Sequence, residues 1–218
     1  MAILATFFLT TVFTPKFTLA VTVPIMFAGD LFPIIRYRKS IHYQSLLKIL
    51  PWAGLGIALG AFIGPFINDE AFKTIIGVLI LLMGILIVLH SNGLVHYSSI
   101  KNPIIGRVLG IMLGFASIIG NAAGSIASIY FVGQKLNKFG FIGTNALLSA
   151  VNNFVKIIVF VFIWKIVTPV TALISLIMVP VILLGILLST IFITHIPERI
   201  YRIVIISSII YSGFAMIF

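Results

Sequence analysis

Cysteine is absent from this 218-residue sequence, and acidic residues are rare. Without cysteine the chain has no disulfide bond, no thiol nucleophile and no cysteine-based metal site. Only four residues are acidic, and the four histidines lie in loops or at the ends of apolar segments, far apart in sequence. No paired carboxylates, Ser/His/Asp set or metal-ligand spacing appear. We therefore predict that the protein is not an enzyme and has no cofactor or metal.

Charge of either sign is scarce as well. Charged residues make up 8% of the sequence and hydrophobic residues 61%, and the mean hydropathy is +1.27. This composition excludes a water-soluble globular protein. Apolar runs of about 20 residues are long enough to cross a bilayer as helices, and none alternates like a barrel strand. We predict an all-α, polytopic helical membrane protein, multi-pass in the cell membrane, with a single transmembrane domain over residues 1–218.

The 14 basic residues give a formal net charge of +10, which raises the question of nucleic acid. They are spread over short loops, as expected of a membrane protein whose cytoplasmic loops are enriched in Lys and Arg. We expect a lipid bilayer around the chain and no nucleic-acid partner. The short loops separate six predicted spans, at about 17–35, 46–68, 72–90, 140–164, 170–194 and 200–218.

The chain matches itself when it is shifted along its own sequence. A shift of 122 residues places residues 16–22 on 138–144 and pairs Asp30 with Asn152, and a shift of 129 pairs Pro51 with Pro180. We predict two repeats, at 1–91 and 102–218, since internal symmetry is common among transporters. The first repeat lacks a counterpart of residues 103–122, so we expect it to be truncated at its N-terminus.

The stretch "IIGNAAGS" (residues 118–125) interrupts the apolar run 104–132 with small and polar residues. Gly120, Asn121, Gly124 and Ser125 form the predicted break. Gly120 and Gly124 are its candidate structural residues, because glycine permits reversals that other residues resist. A helix that starts near Ala122 would point unpaired N–H groups at an anion. Asn121 and Ser125 would then bind the substrate. The alternative is close packing of small residues between two helices.

The basic residues indicate how this run lies in the membrane. If 102–132 crosses once, seven basic residues fall on one side and six on the other. If it enters, breaks and returns, ten share one side and three remain opposite, as enrichment of Lys and Arg in cytoplasmic loops predicts. Each arm of about sixteen residues also looks short for a crossing. We therefore predict two inverted repeats with a broken, re-entrant helix at the midplane.

A polar stripe follows the break. Asn145, Ser149, Asn152 and Lys156 are spaced four, three and four residues apart, so they share one helical face, and Thr144 begins the stripe. Lys156 lies about 13 Å from the end of its span, at a depth where a charge costs at least about 2.5–3.5 kcal/mol. We predict that the stripe binds substrate. The alternative is a structural lysine, paired with a carbonyl or with Asp30.

Asp30 is the only acidic residue inside a predicted span. It is the candidate proton-coupling residue, or else a counter-ion for Lys156. The alternative is a hydrated position near the membrane interface, because Arg36 follows only a few residues later.

Two regions resemble the TauE/SafE sulfite exporter family of bacterial permeases. One is "GFASIIGNAAGSIASIYFVGQKLNKFGFIGTNALLSAVNNFVKIIVF", with its Gly-rich break, basic loop, Gly-Thr pair and following Asn and Lys. The other is "AGDLFPIIRYRKSIHYQSLLKILPWAGLGIALGAFIG" in the first half. The resemblance implies a permease for sulfite, a sulfonate or another small organic anion, coupled to protons.

These features together predict a secondary transporter whose partner is a small anionic substrate. Self-association into a homo-oligomer stays open. Two alternatives remain, a non-transporting membrane scaffold subunit and an intramembrane enzyme for a lipid-linked or phosphorylated substrate. The predicted substrate-binding residues are Asn121, Ser125, Thr144, Asn145, Ser149, Asn152 and Lys156, with Asp30 for proton coupling and Gly120 and Gly124 at the break.

Overall fold

The computed structural model describes residues 9–10, 12–68, 70–72, 74–75, 78, 81–82, 85, 103–121, 123–134 and 136–192. All regular structure in these residues is helical, which confirms the all-α prediction. Short 3₁₀ turns follow the first two helices, and a π-helical turn at Val159–Ile163 extends the fifth. The helices are α1 (Pro15–Tyr37), α2 (Tyr43–Ile63), α3 (Pro103–Gly120), α4 (Ala123–Gly133), α5 (Lys138–Ile158) and α6 (Pro169–Phe192).

Within the described residues, four helical segments are long and apolar enough to cross a membrane, which confirms a polytopic membrane protein. They contain or overlap the predicted spans 17–35, 46–68 and 140–164, and α6 corresponds to 170–194. The predicted span 200–218 lies outside the described residues, and so does most of 72–90. The four segments are Pro15–Ser40, Tyr43–Phe66, Pro103–Gly120 and Lys138–Ile163.

Side chains fix where three of the helices begin. Thr14 caps α1 by accepting a hydrogen bond from Phe17 N, and Pro15 follows at the first helical position, where a missing N–H costs nothing. The Nδ1 atom of His42 accepts from Ser45 N at the start of α2. Asn137 Oδ1 accepts from Gly140 N at 2.7 Å at the start of α5.

Glycines bring α2 and α3 into backbone contact. A β-carbon added to Gly114 would lie 1.9 Å from the carbonyl oxygen of Ala53, and one added to Gly56 would lie 2.0 Å from that of Ile111. No side chain fits between such backbones, so small residues here permit the packing. Close packing of this kind, expected as an alternative at 118–125, thus occurs between α2 and α3.

The relative directions of the helices follow from their contacts. Gly110 lies against Ile49 and Gly60 against Ile118, so α2 and α3 run parallel. The α1 helix runs antiparallel to α5, because Tyr37 stacks on Phe139 and Phe27 contacts Phe154. These are the two helices that the internal repeat aligns, and opposite directions are what inverted repeats require. The boundaries 1–91 and 102–218 stay a prediction.

The α4 helix folds back along α3. The hydroxyl of Tyr130 donates to Ser45 O at the start of α2, and a β-carbon on Gly106 would lie 3.5 Å from the Tyr130 ring. The first turn of α3 and the last turn of α4 therefore lie on the same side of the helices. On this side α1 ends and α5 begins, and the basic segment 36–39 lies there. This return supports the predicted hairpin. The first arm has 18 residues, more than the sixteen expected, so its length gives no argument for re-entry.

Candidate functional site

A cavity of about 300 Å³ lies where α1, α5 and the break between α3 and α4 meet. Both polar and apolar side chains face it, and α3 contributes to one wall. The lining residues are Met26, Asp30, Leu113, Ser117, Asn121, Ala123, Gly124, Ala127, Asn145, Leu148, Ser149, Asn152, Asn153 and Lys156.

The break itself is formed by an asparagine. Asn121 has a φ of 52°, in the left-handed region, which asparagine adopts more readily than other non-glycine residues. Gly120 is the last residue of α3 and does not line the cavity. Gly124 is the second residue of α4 and does. The left-handed residue of the predicted break is therefore Asn121, with Gly120 before it and Gly124 in the first turn of α4.

Gly124 has a different use. A β-carbon added there would meet no atom within 4 Å, so neither packing nor backbone conformation requires glycine. Its missing side chain leaves space in the cavity beside the start of α4. Ala123 and Gly124 both line the cavity, so the first turn of this eleven-residue helix opens onto it. The N–H groups of such a turn have no partner within the helix and favour an anion.

Lys156 connects α5 to the break. Its side chain is 1% exposed, and Nζ donates to Ser117 O at 3.2 Å and to Asn121 Oδ1 at 2.5 Å. The Asn121 amide in turn donates to Thr22 Oγ1 at 3.1 Å. The alternative of a lysine paired with a carbonyl is realised in part, because one of the two bonds ends on a backbone carbonyl. The other ends on a cavity side chain.

Asp30 is held by two side chains of α5, Ser149 of the polar stripe and Asn153 beside it. Its Oδ2 accepts from Ser149 Oγ at 2.7 Å and from Asn153 Nδ2 at 2.9 Å. The carboxylate is partly buried and faces the cavity, together with Asn152, its partner in the internal repeat. In the part of the chain that the structure describes, Asp30 and Lys156 are the only titratable residues that line the cavity.

Asn152 presents an unused hydrogen-bond donor. The residue is 3% exposed, and its Nδ2 atom has no partner among the described residues. Leaving a buried donor unpaired costs about 1–3 kcal/mol, so native proteins usually avoid it. Because Asn152 lines the cavity, an acceptor on a bound molecule would satisfy this amide.

The structure brings most of the predicted residues together. Thr144 is an exception: it is buried and its Oγ1 accepts from His42 N at 2.8 Å, so it joins α5 to the start of α2 away from the cavity. Ser125 belongs to α4, and its side chain lies outside the described part. The predicted residues that line the cavity are Asp30, Asn121, Gly124, Asn145, Ser149, Asn152 and Lys156.

Three participants were missed from the predicted site. Asn153 lies four residues after Ser149, so helical spacing already placed it near the stripe. Ser117 contributes its backbone carbonyl, and the residue type does not indicate such a contact. Thr22 is 99 residues from Asn121 in sequence, so no local pattern connects them. In the described part of the chain, no three His, Asp or Glu side chains come together as metal ligands.

Comparison with known proteins identifies the family. The family model described as "Sulfite exporter TauE/SafE" matches residues 1–216. No curated protein and no solved structure gave a match. The family match covers nearly the whole chain and agrees with the apolar helices around a polar cavity. The chain therefore belongs to the TauE/SafE sulfite exporter family, a family of membrane transporters.

Proposed function

We propose that the protein is a proton-coupled secondary transporter of the cell membrane that carries a small anion, such as sulfite or a sulfonate. The observation that carries this proposal is the fully buried Lys156 beside the cavity, near Asn152, whose Nδ2 atom has no partner among the described residues. An ammonium at membrane depth costs at least about 2.5–3.5 kcal/mol on insertion scales. A fold that keeps it there gains from a ligand of opposite charge.

Three kinds of donor converge on the same space. Lys156 supplies a charged donor, Asn152 supplies a neutral one, and the first turn of α4 adds backbone N–H groups and the positive end of its dipole. An oxyanion with several acceptor oxygens can take all three. These interactions strengthen in a cavity that is shielded from water.

Asp30 supplies a group that can take up a proton. A bound anion shares the cavity with this carboxylate, and protonation of Asp30 removes the repulsion between them. The other titratable group on the cavity wall is Lys156, and no further ionisable side chain among the described residues lines it. Anion binding and protonation therefore favour each other, which is the requirement for proton-coupled transport.

Uptake into proteoliposomes tests the proposal. The purified protein alone should accumulate labelled sulfite or ethanesulfonate when the proton gradient is favourable. Lys156→Met should abolish most of the uptake, whereas Lys165→Met, which removes an exposed lysine, should not. Uptake without a partner would contradict the scaffold alternative. No uptake by the folded protein, or equal uptake by both variants, would overturn the proposal.

A further inference from the structure

The cavity has two chemically opposite ends. Lys156, Asn152 and the start of α4 present hydrogen-bond donors, whereas Asp30 presents an acceptor. The two hydrogen bonds that Asp30 accepts from described residues both end on Oδ2. Its Oδ1 atom therefore keeps its lone pairs for another donor, since an ionised carboxylate accepts up to about four hydrogen bonds. A simple anion offers no donor to this end.

The two ends are close enough for one small molecule. Ser149 and Asn153 hold Asp30 to α5, and Lys156 lies seven and three residues after them. At the rise of an α-helix these intervals correspond to about 10 Å and about 4.5 Å along the axis. A molecule with two charged groups separated by a short carbon chain fits this interval and the cavity of about 300 Å³.

Charge balance favours a ligand that carries both signs. A simple anion bound at the donor end would face the Asp30 carboxylate across the cavity, unless a proton first neutralises it. A ligand with its own ammonium brings the neutralising charge and donates to Oδ1. Ser149 and Asn153 already orient the carboxylate, so little rearrangement is needed to receive it.

We propose that the cavity accepts a small zwitterion, with its anionic group against Lys156 and Asn152 and its ammonium against Asp30. This inference rests on the proposed function, because the same anion site holds one end of the ligand. When the substrate is a simple anion, a proton on Asp30 neutralises the carboxylate in place of the ammonium.

Binding of three sulfonates of similar size tests this assignment. Ethanesulfonate, 2-hydroxyethanesulfonate and 2-aminoethanesulfonate share the anionic group and differ only in the donor at the other end. The purified full chain should bind the amino compound at least about tenfold more tightly than ethanesulfonate, because a charge-assisted hydrogen bond is gained. The hydroxyl compound should fall between them.

The isosteric variant Asp30→Asn tests whether Asp30 causes the preference for the amino compound. It should bind ethanesulfonate at least as tightly as the native protein does, while its preference for the amino compound falls to about twofold or less. Equal binding of all three sulfonates by the native protein overturns the inference without any variant. So does a preference that survives in Asp30→Asn.

Failure of the anion site itself gives a different pattern. If neither sulfite nor any of the three compounds binds to the folded native protein, the proposed function fails together with the inference. If all three bind equally and Lys156→Met weakens all of them, the anion site stands and only the zwitterion assignment is overturned.

Discussion

Methionine at position 156 keeps the length of the lysine side chain and removes its charge. Nζ of Lys156 contacts the cavity wall through Ser117 O and Asn121 Oδ1, so a bound anion would share or displace these bonds. A charge-assisted hydrogen bond contributes about 1.5–3 kcal/mol. At about 1.4 kcal/mol per decade, Lys156→Met should therefore lower anion affinity tenfold to a hundredfold.

The same substitution should leave the fold intact. Ser117 O also accepts from Asn121 N at 3.2 Å, so it keeps a partner when the ammonium is gone. The hydrogen bond from Asn121 to Thr22 does not involve the lysine. Methionine is also easier to hold in the bilayer than an ammonium. The thermal unfolding midpoint should consequently change by only a few degrees.

The assay is equilibrium binding of ethanesulfonate to purified, monodisperse variants. Lys165→Met is the matched control, because Lys165 is exposed and follows the end of the α5 segment. Lys156→Arg should bind with intermediate affinity, since it keeps the charge but changes the donor geometry. Unchanged affinity in an intact Lys156→Met protein would show that this lysine is structural and that the anion site lies elsewhere.

Three further substitutions test other parts of the account. Asp30→Asn should spare the binding of ethanesulfonate and remove the pH dependence of its net transport in proteoliposomes. Loss of binding with an unchanged pH dependence would exclude the coupling role. Single cysteines at positions 101 and 135, outside the described residues, should react with an impermeant reagent from one and the same side, and labelling from opposite sides would refute the hairpin. Gly114→Ala should lower the free energy of unfolding by about 1–3 kcal/mol, because its β-carbon would meet Ala53 O. Gly54→Ala, which meets open space, should cause no loss, and equal effects would contradict the packing account.

The cavity face of α5 was predictable because helical periodicity is local. Asn145, Ser149, Asn152 and Lys156 were placed on one face by spacing alone, and all four line the cavity. Thr144 comes one residue before the stripe, in the second turn of α5 and about 100° away around the helix. It bonds to His42 N instead, across 102 residues of sequence. Periodicity gives the direction of a side chain and leaves its distant partner undetermined.

The break was predictable in place and less so in detail. Small residues at 118–125 within an apolar run indicated an interruption, and the helices do stop and restart there. The sequence did not indicate which residue of the break takes the left-handed conformation. Asn121 takes it with hydrogen bonds to Lys156 and Thr22, which belong to two other helices. The internal repeat was more informative, since pairing Asp30 with Asn152 placed both at one cavity.

The most direct measurement of the central claim, that this cavity binds an anion through Lys156, is protection of a cysteine at position 124. The chain has no native cysteine, and a β-carbon at Gly124 meets open space on the cavity wall. Saturating ethanesulfonate should slow the reaction of Gly124→Cys with N-ethylmaleimide at least several-fold, and should not slow that of Gln44→Cys, which is exposed outside the cavity. In the Lys156→Met background the protection at position 124 should require about tenfold to a hundredfold more ethanesulfonate. A reaction rate that ethanesulfonate leaves unchanged, or protection at the same concentrations without Lys156, would contradict the account.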